Sequence, residues 1–322
     1  MYYPYLRGKQ FELLALREFS GQYVNNDRII PIIEPVKEQV KGLNQTAKVL
    51  IDNGMEFAVV LNPKEGDFKH PNVDNDILDS IECLADDRSQ WIPAYIYKNN
   101  AQRLLEHAES KDLSRLMIIF PSGADVNDDA LMDFLSNDRI SYIVYGNLGN
   151  NRSARGRLLN LGKSLISLED RFNDRPRNAD YQEQVDEIFS EDFAFYEYDK
   201  LAGFADYTPL PKDFVEGGML PYAIAIHLTY RKSEDQIFVH HFVSEHNFDQ
   251  SDIRGKFHEA AQQIGPFYEE NELYHTSAVD EFIMKSSSDD GYPGLGYIKK
   301  LSIKNHLELI YHIIPERQHE NM

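Results

Sequence analysis

The earliest residues able to do chemistry are Arg7 and Lys9, two cations on either side of Gly8. A guanidinium and an ammonium so placed suit an anionic group such as a phosphate. Two carboxylates, Glu34 and Asp206, stand at the ends of short apolar runs. Brought to one rim, such a pair can divide general acid–base work, so these two are the expected catalytic groups. Asn62 and Asp170 end further apolar runs and are expected to bind ligand beside Arg7 and Lys9. A plainer alternative stays open, in which Glu34 and Asp206 form salt bridges with Arg7 and Lys9.

The elements that must position these residues repeat along the chain. Tyr2–Leu6 is an aromatic run of strand type, and Phe11, Leu14, Ala15 and Phe19 then follow at helical spacing. The run 28–36 is stopped by Pro35, and a helix over Gln45–Asp52 ends at Asn53-Gly54. Phe57–Leu61 is a third strand, ended by Asn62-Pro63. A helix near Asp76–Ala85 follows. Trp91–Tyr97, Leu116–Phe120, Tyr142–Tyr145 and Leu165–Leu168 continue the strands, with helices over Ala101–Ala108 and Asp129–Leu135. Strands that are apolar throughout and separated by helices pair in parallel with right-handed crossovers. No G-x-G-x-x-G turn follows the first strand, which disfavours an open dinucleotide-binding sheet. The fold expected is α/β, a (β/α)8 TIM-barrel-like domain. In such a barrel the residues that end the strands face the C-terminal mouth, where active sites form. That rule selects Arg7, Lys9, Glu34, Asn62, Tyr97, Lys98, Ser122, Asn147, Asp170 and Asp206.

The pattern changes towards the C-terminus. Gln182–Phe195 reads as a helix and Gly203–Tyr207 as a strand. Ala223–Tyr230 and Gln236–Val243 form a hairpin across the polar connection Arg231–Asp235, and Lys256–Ile264 is helical. Ser302 is placed to cap a last helix striped by Ile303, Leu307, Ile310, Tyr311 and Ile314. No linker divides the chain, so a single domain over 1–322 is expected. Its βα repeats fill about 1–210, and the added hairpin and C-terminal helical segment fill about 211–322. His227 shares a strand face with Ala223, Ala225 and Thr229, small neighbours that leave room for a ligand. A hydrogen-bonded core histidine is the other reading.

Composition narrows the function classes. Acids outnumber bases 53 to 33, a formal net charge of -20, which repels phosphate backbones and anionic membranes. Nucleic acid is therefore not an expected partner, and the basic patches, Arg152–Arg157 and Lys299–Lys300, are short. Cys83 is the sole cysteine, which excludes an intrachain disulfide and a multi-cysteine zinc site. His240 and His241 are adjacent on a strand and point to opposite faces, and H-E-x-x-H is absent, so no metal ligands are assigned. No apolar run approaches the roughly 20 residues that span a bilayer, and no basic-then-apolar leader opens the chain, so a cytoplasmic location is expected. Gly291–Lys300 is not a Walker loop, since Tyr297 stands where lysine must follow the last glycine. It is expected to turn into the last helix. Asp67-Phe68-Lys69 lies in a polar loop and is rejected as a nuclease centre.

Several motifs carry a resemblance. Tyr3–Glu18 with Ile30–Val36 resembles the phage-type "beta protein" family. Glu169–Asn173 with Arg177–Tyr181, Gly203–Thr208, Glu216-Gly-Gly, Pro221–Tyr230, His241–Ser244 and Gly294–Lys304 are similar to one branch of it. The resemblance implies a genetic setting, in prophages and mobile or defence-type gene neighbourhoods, and no reaction. It adds weight to Asp170, Arg171, Tyr207 and His227 as ligand-binding positions. Two functions follow as expectations. One is a barrel of a phage-defence or mobile-element module whose polar mouth binds or hydrolyses a small phosphate-bearing ligand. The other is a non-catalytic protein that docks a separate effector, such as a nuclease, encoded nearby. The sequence names no cofactor.

Overall fold

A computed structural model of the chain describes residues 1–70, 76–81, 83–86, 89–215, 217, 220–287 and 292–315. Glu216, Gly218 and Gly291 of the motifs above lie outside them. The chain begins with β1 (Tyr5–Leu6), α1 (Gln10–Gln22), β2 (Ile32–Ile33), α2 (Lys41–Asp52) and β3 (Phe57–Val60). It continues through α3 (Cys83–Asp86), β4 (Trp91–Ile96), α4 (Ala101–Ser110), β5 (Leu116–Phe120) and α5 (Asp129–Leu135). Then come β6 (Ile140–Gly146), α6 (Arg152–Leu159), β7 (Ser164–Glu169), β8 (Asp186–Ser190), α7 (Asp192–Phe195) and β9 (Gly203–Asp206). The last part holds β10 (Ala225–Arg231), β11 (Ile237–Val243), α8 (Ile253–Ala261), α9 (Ile264–Glu270), α10 (Ser277–Ser286) and α11 (Leu295–Ile313).

Eight strands form one parallel sheet in the order β1-β2-β3-β4-β5-β6-β7-β9. Tyr2 bridges Ile29 on one side and Phe204 on the other, and Tyr3 N donates to Phe204 O at 2.8 Å, so the two edges meet. This is the TIM-barrel-like architecture that the strand count predicts. Strand pleating sorts the apolar residues into two sets. Tyr5, Ile32, Val60, Ile96, Ile119, Val144, Leu168 and Ala205 fill the barrel, while Leu6, Ile33, Val59, Tyr95, Ile118, Tyr145 and Phe204 face outwards under the helices.

Beside the barrel lies an antiparallel sheet ordered β10-β11-β8. Its third strand corrects the helix expected over Gln182–Phe195. Glu187 and Phe189 point inwards while Ile188 is exposed, a period of two, and only Gln182 and Glu183, the end of a 3-10 helix, and Asp192–Phe195 turn helical. The helix expected near Asp76–Ala85 is also broken. Leu78–Ser80 is a 3-10 turn opened by Leu78 N donating to Asp76 Oδ1, a local bond that competes with regular helix.

The last helix begins at Leu295, behind Gly294, rather than at Ser302, which is buried within it. Ile298 and Leu301 extend the apolar stripe backwards onto a second core shared with α8, α9 and α10. Ile303, Leu307 and Ile310 belong to the barrel's outer core, so α11 joins the two layers. Arg28 Nη1 closes its C-terminal end, donating to Tyr311 O at 2.8 Å and Ile314 O at 3.2 Å. Among the described residues no helix is long and apolar enough to cross a membrane.

Candidate functional site

Strand parity decides which strand-end residues reach the mouth. Two residues beyond each inward apolar side chain, the next inward position falls on Arg7, Glu34, Asn62, Lys98, Pro121, Gly146, Asp170 and Tyr207. Gly8 turns the chain directly after Arg7 with φ +63°, where a Cβ would lie 3.1 Å from Glu34 O. Gly146 leaves no room for a side chain, since a Cβ there would overlap the Pro121 carbonyl.

Glu34 is fully buried, and all its bonding is to this rim. Its Oε2 accepts from the Tyr5 hydroxyl at 2.8 Å and from Arg7 Nη1, and its Oε1 accepts from Lys64 N at 3.1 Å. The Arg7 guanidinium carbon lies 5.1 Å from the Tyr5 ring centroid and 5.4 Å from that of Tyr207. Arg7 Nη2 also donates to Lys212 O at 2.7 Å. Burial opposes the Arg7 charge, but Tyr5, Glu34 and Tyr207 outweigh it and raise its pKa. Burial pushes the Tyr207 phenol well up, so Tyr207 remains a hydroxyl donor in the neutral range.

Further charges complete the mouth. Burial, and then the neighbouring Lys64, push the Lys98 ammonium below its usual value, although Glu34 and Glu65 pull the other way. Among the described residues neither Lys64 nor Lys98 has an ion-pair partner. Burial raises the Asp170 carboxyl, with Lys212 opposing and Asp213 reinforcing the rise. The chain after β9 folds back over the rim. Lys9 Nζ donates to Val215 O at 3.2 Å and lies 4.4 Å from the Phe214 ring centroid.

Asn62 ends β3 as expected, but its amide is spent on the backbone of β4, giving to Ile96 O and taking from Ile96 N, both at 2.8 Å. Lys64, Lys212 and Tyr5 were not selected from the sequence. Tyr5 was available from parity alone, two residues before Arg7. The lysines lie in loops, where periodicity is silent.

Three expected site residues stand elsewhere. Asp206 alternates with Ala205 and Tyr207, so it points out of the barrel, which corrects its expected place beside Glu34. There its Oδ1 accepts from the Tyr2 hydroxyl at 2.6 Å and Thr208 N at 2.8 Å, and its Oδ2 faces His306 Nε2 at 3.6 Å. Burial alone would raise Asp206, but His306, Tyr2 and Thr208 outweigh it and hold it below the usual carboxylate range. Arg171 makes a two-pronged pair with Asp192, at 2.8 and 2.6 Å, which anchors α7 to the end of β7.

His227 makes its contacts in the small sheet, opposite His241, and the two Nδ1 atoms are 2.8 Å apart. His241 Nε2 lies 3.1 Å from Glu187 Oε1 and must donate to it. His241 Nδ1 therefore accepts, and His227 carries its proton on Nδ1. The space beside the small neighbours of His227 is taken by the rings of Phe172 and Tyr181, with centroids 5.0 and 4.6 Å away. Burial lowers the pKa of both imidazoles. Among the described residues no group of three or more His, Cys, Asp or Glu side chains is placed to hold a metal ion. Comparison with protein-family models, curated proteins and solved structures finds no match to this chain.

Proposed function

We propose that the barrel mouth binds a small anionic, phosphate-bearing ligand. One observation carries this reading: Lys64 and Lys98 stand together at the rim without ion-pair partners among the described residues, with Lys64 disfavouring the charge on Lys98. An oxyanion between them relieves that repulsion, and Arg7, pre-positioned by two tyrosine rings, supplies a planar donor edge beside it. The chain's formal charge of -20 makes this local excess of cations more telling. Binding is the better supported half of the reading. Hydrolysis with Glu34 as the base requires it first to release Arg7, Tyr5 or the Lys64 amide. The setting, a phage-defence or mobile-element module, rests on the motif resemblance alone.

Native mass spectrometry of the freshly purified full-length chain tests this reading. A stoichiometric added mass that is lost in Lys64→Met supports it. A bare chain mass that stays bare with added inorganic phosphate counts against it.

A second reading, docking of a separate effector, has its own observation. Leu220, Tyr222 and Phe248 are exposed on two loops tied by Gln250 Nε2 donating to Leu220 O at 2.6 Å. Removing the chain from Ser302 would strip α11 out of the core, so Phe248→Ser is the appropriate probe. A co-purifying partner lost in that variant, with Lys64→Met still holding it, favours docking.

A further inference from the structure

A cavity of about 200 Å3 opens between the C-terminal ends of β3 and β4 and the start of α4. Tyr95, His107 and Asp76 line it, together with Lys98, Asn100 and Arg103. Tyr95 leaves the barrel on its outer face, so this cavity lies outside the ring of strands whereas the mouth lies inside it. The two share Asn62 and Lys98. The cavity holds several times the roughly 30 Å3 that one water occupies in the liquid, which is room for a single phosphate-sized ion.

Three side chains form a continuous relay on its wall. The Tyr95 hydroxyl is 2.7 Å from His107 Nδ1, and His107 Nε2 is 2.8 Å from Asp76 Oδ2. Asp76 accepts, so His107 carries a proton on Nε2, and in the neutral ring Nδ1 receives the Tyr95 proton. If His107 gains a second proton, Nδ1 becomes a donor to the phenol oxygen, and the Tyr95 O–H is freed to turn into the cavity. Burial, with Asp76 adding, pushes the Tyr95 phenol up, so the group stays a hydroxyl in either state.

The charges around the cavity favour an anion. Arg103 and Lys98 have no ion-pair partner among the described residues and share the cavity lining with one carboxylate, Asp76, while Glu34 and Glu65 act on Lys98 from the mouth. Beyond Asp76, Lys111 is held by Asp79 at 2.6 Å. Asn100, at the N-cap of α4, takes a bond from Lys98 N at 3.0 Å and leaves the first turn of the helix without a side-chain cap.

We propose that this cavity is a second, proton-coupled site for a free phosphate-type oxyanion. Lys98 and Arg103 hold the ion, and protonation of His107 turns the Tyr95 hydroxyl towards it. The relay acts on hydrogen bonding alone; no bond to the ligand forms.

Nitrogen-detected NMR of the histidine rings in the full-length chain tests the proposal, with His107 identified by the resonances missing from His107→Gln. Inorganic phosphate, raised at constant pH, is expected to move the His107 resonances from the neutral Nε2–H pattern towards that of imidazolium. Losing a charge-assisted bond in Arg103→Ala weakens that response by about tenfold or more. Lys64→Met, a change in the mouth, does not weaken it, because removing Lys64 only relieves the opposition to the Lys98 charge. The proposal is overturned if the His107 resonances stay fixed as phosphate is raised, or respond equally in Arg103→Ala. A response lost in Lys64→Met and kept in Arg103→Ala also overturns it, by assigning the phosphate to the mouth alone.

Discussion

Arg7 reaches across the first two strands to place Nη1 on Glu34 Oε2, the oxygen that also accepts the Tyr5 hydroxyl at 2.8 Å. The pair is a fixed part of the rim. Glu34 is completely buried, and removing one partner of a buried charge pair leaves the other uncompensated. Glu34→Gln is therefore expected to destabilise the chain by about 3 kcal/mol. Urea unfolding should show a lower midpoint with unchanged slope. Arg7→Met combined with Glu34→Gln should recover part of that loss, because no lone charge remains. The double-mutant cycle measures the coupling.

Asp206 gives the chain an acid-sensitive seam. Its folded carboxyl titrates below its unfolded value, which lies near 3.9, so it contributes stability in full above about pH 4 and loses it as pH falls further. Asp206→Asn should be less stable than the parent at neutral pH and show a shallower decline below about pH 4. Unfolding free energies measured across that range check both parts.

The histidine pair sets a second, higher window. Both imidazoles are held neutral by burial, whereas the unfolded rings titrate near 6.5. The unfolded chain binds more protons below that pH, so stability from this pair is full above about 6.5 and falls as the medium is acidified. His227→Asn should flatten the slope just below about pH 6.5 and leave the Asp206 window in place.

Gly146 tests the packing of the rim. The Cβ in Gly146→Ala would overlap the Pro121 carbonyl, a backbone atom that cannot swing aside. A cost of about 1–3 kcal/mol is expected, read as a lower melting temperature.

The barrel was legible because its strands are buried on both faces and read as apolar runs between helices, from Phe57–Val60 to Leu116–Phe120. The candidate site was half legible. Ending a strand is not enough, since neighbouring positions face opposite sides: Tyr207 and Asp206 adjoin in sequence, yet one enters the mouth and the other the seam against His306. The run through Asp186–Ser190 was misread because its pairing partner, β11, lies about fifty residues downstream, and local spacing carries no record of it. The start of α11 was missed because its first two turns pack on a different core from the rest, so one stripe ends where another begins. Lys64 and Lys212 sit in loops that only the closed barrel brings to the rim.

The most direct test of the central claim, an anion site at the mouth, is the melting temperature of the full-length chain against inorganic phosphate. It should be made in an Arg103→Ala background, which weakens the site beside α4, with and without Lys64→Met. A ligand that binds only the folded state stabilises it in proportion to ln(1 + [L]/Kd), so the Arg103→Ala chain should melt progressively higher as phosphate rises. Adding Lys64→Met should remove most of that rise. Equal rises in the two chains, or none in either, would contradict an anion site between Lys64, Lys98 and Arg7.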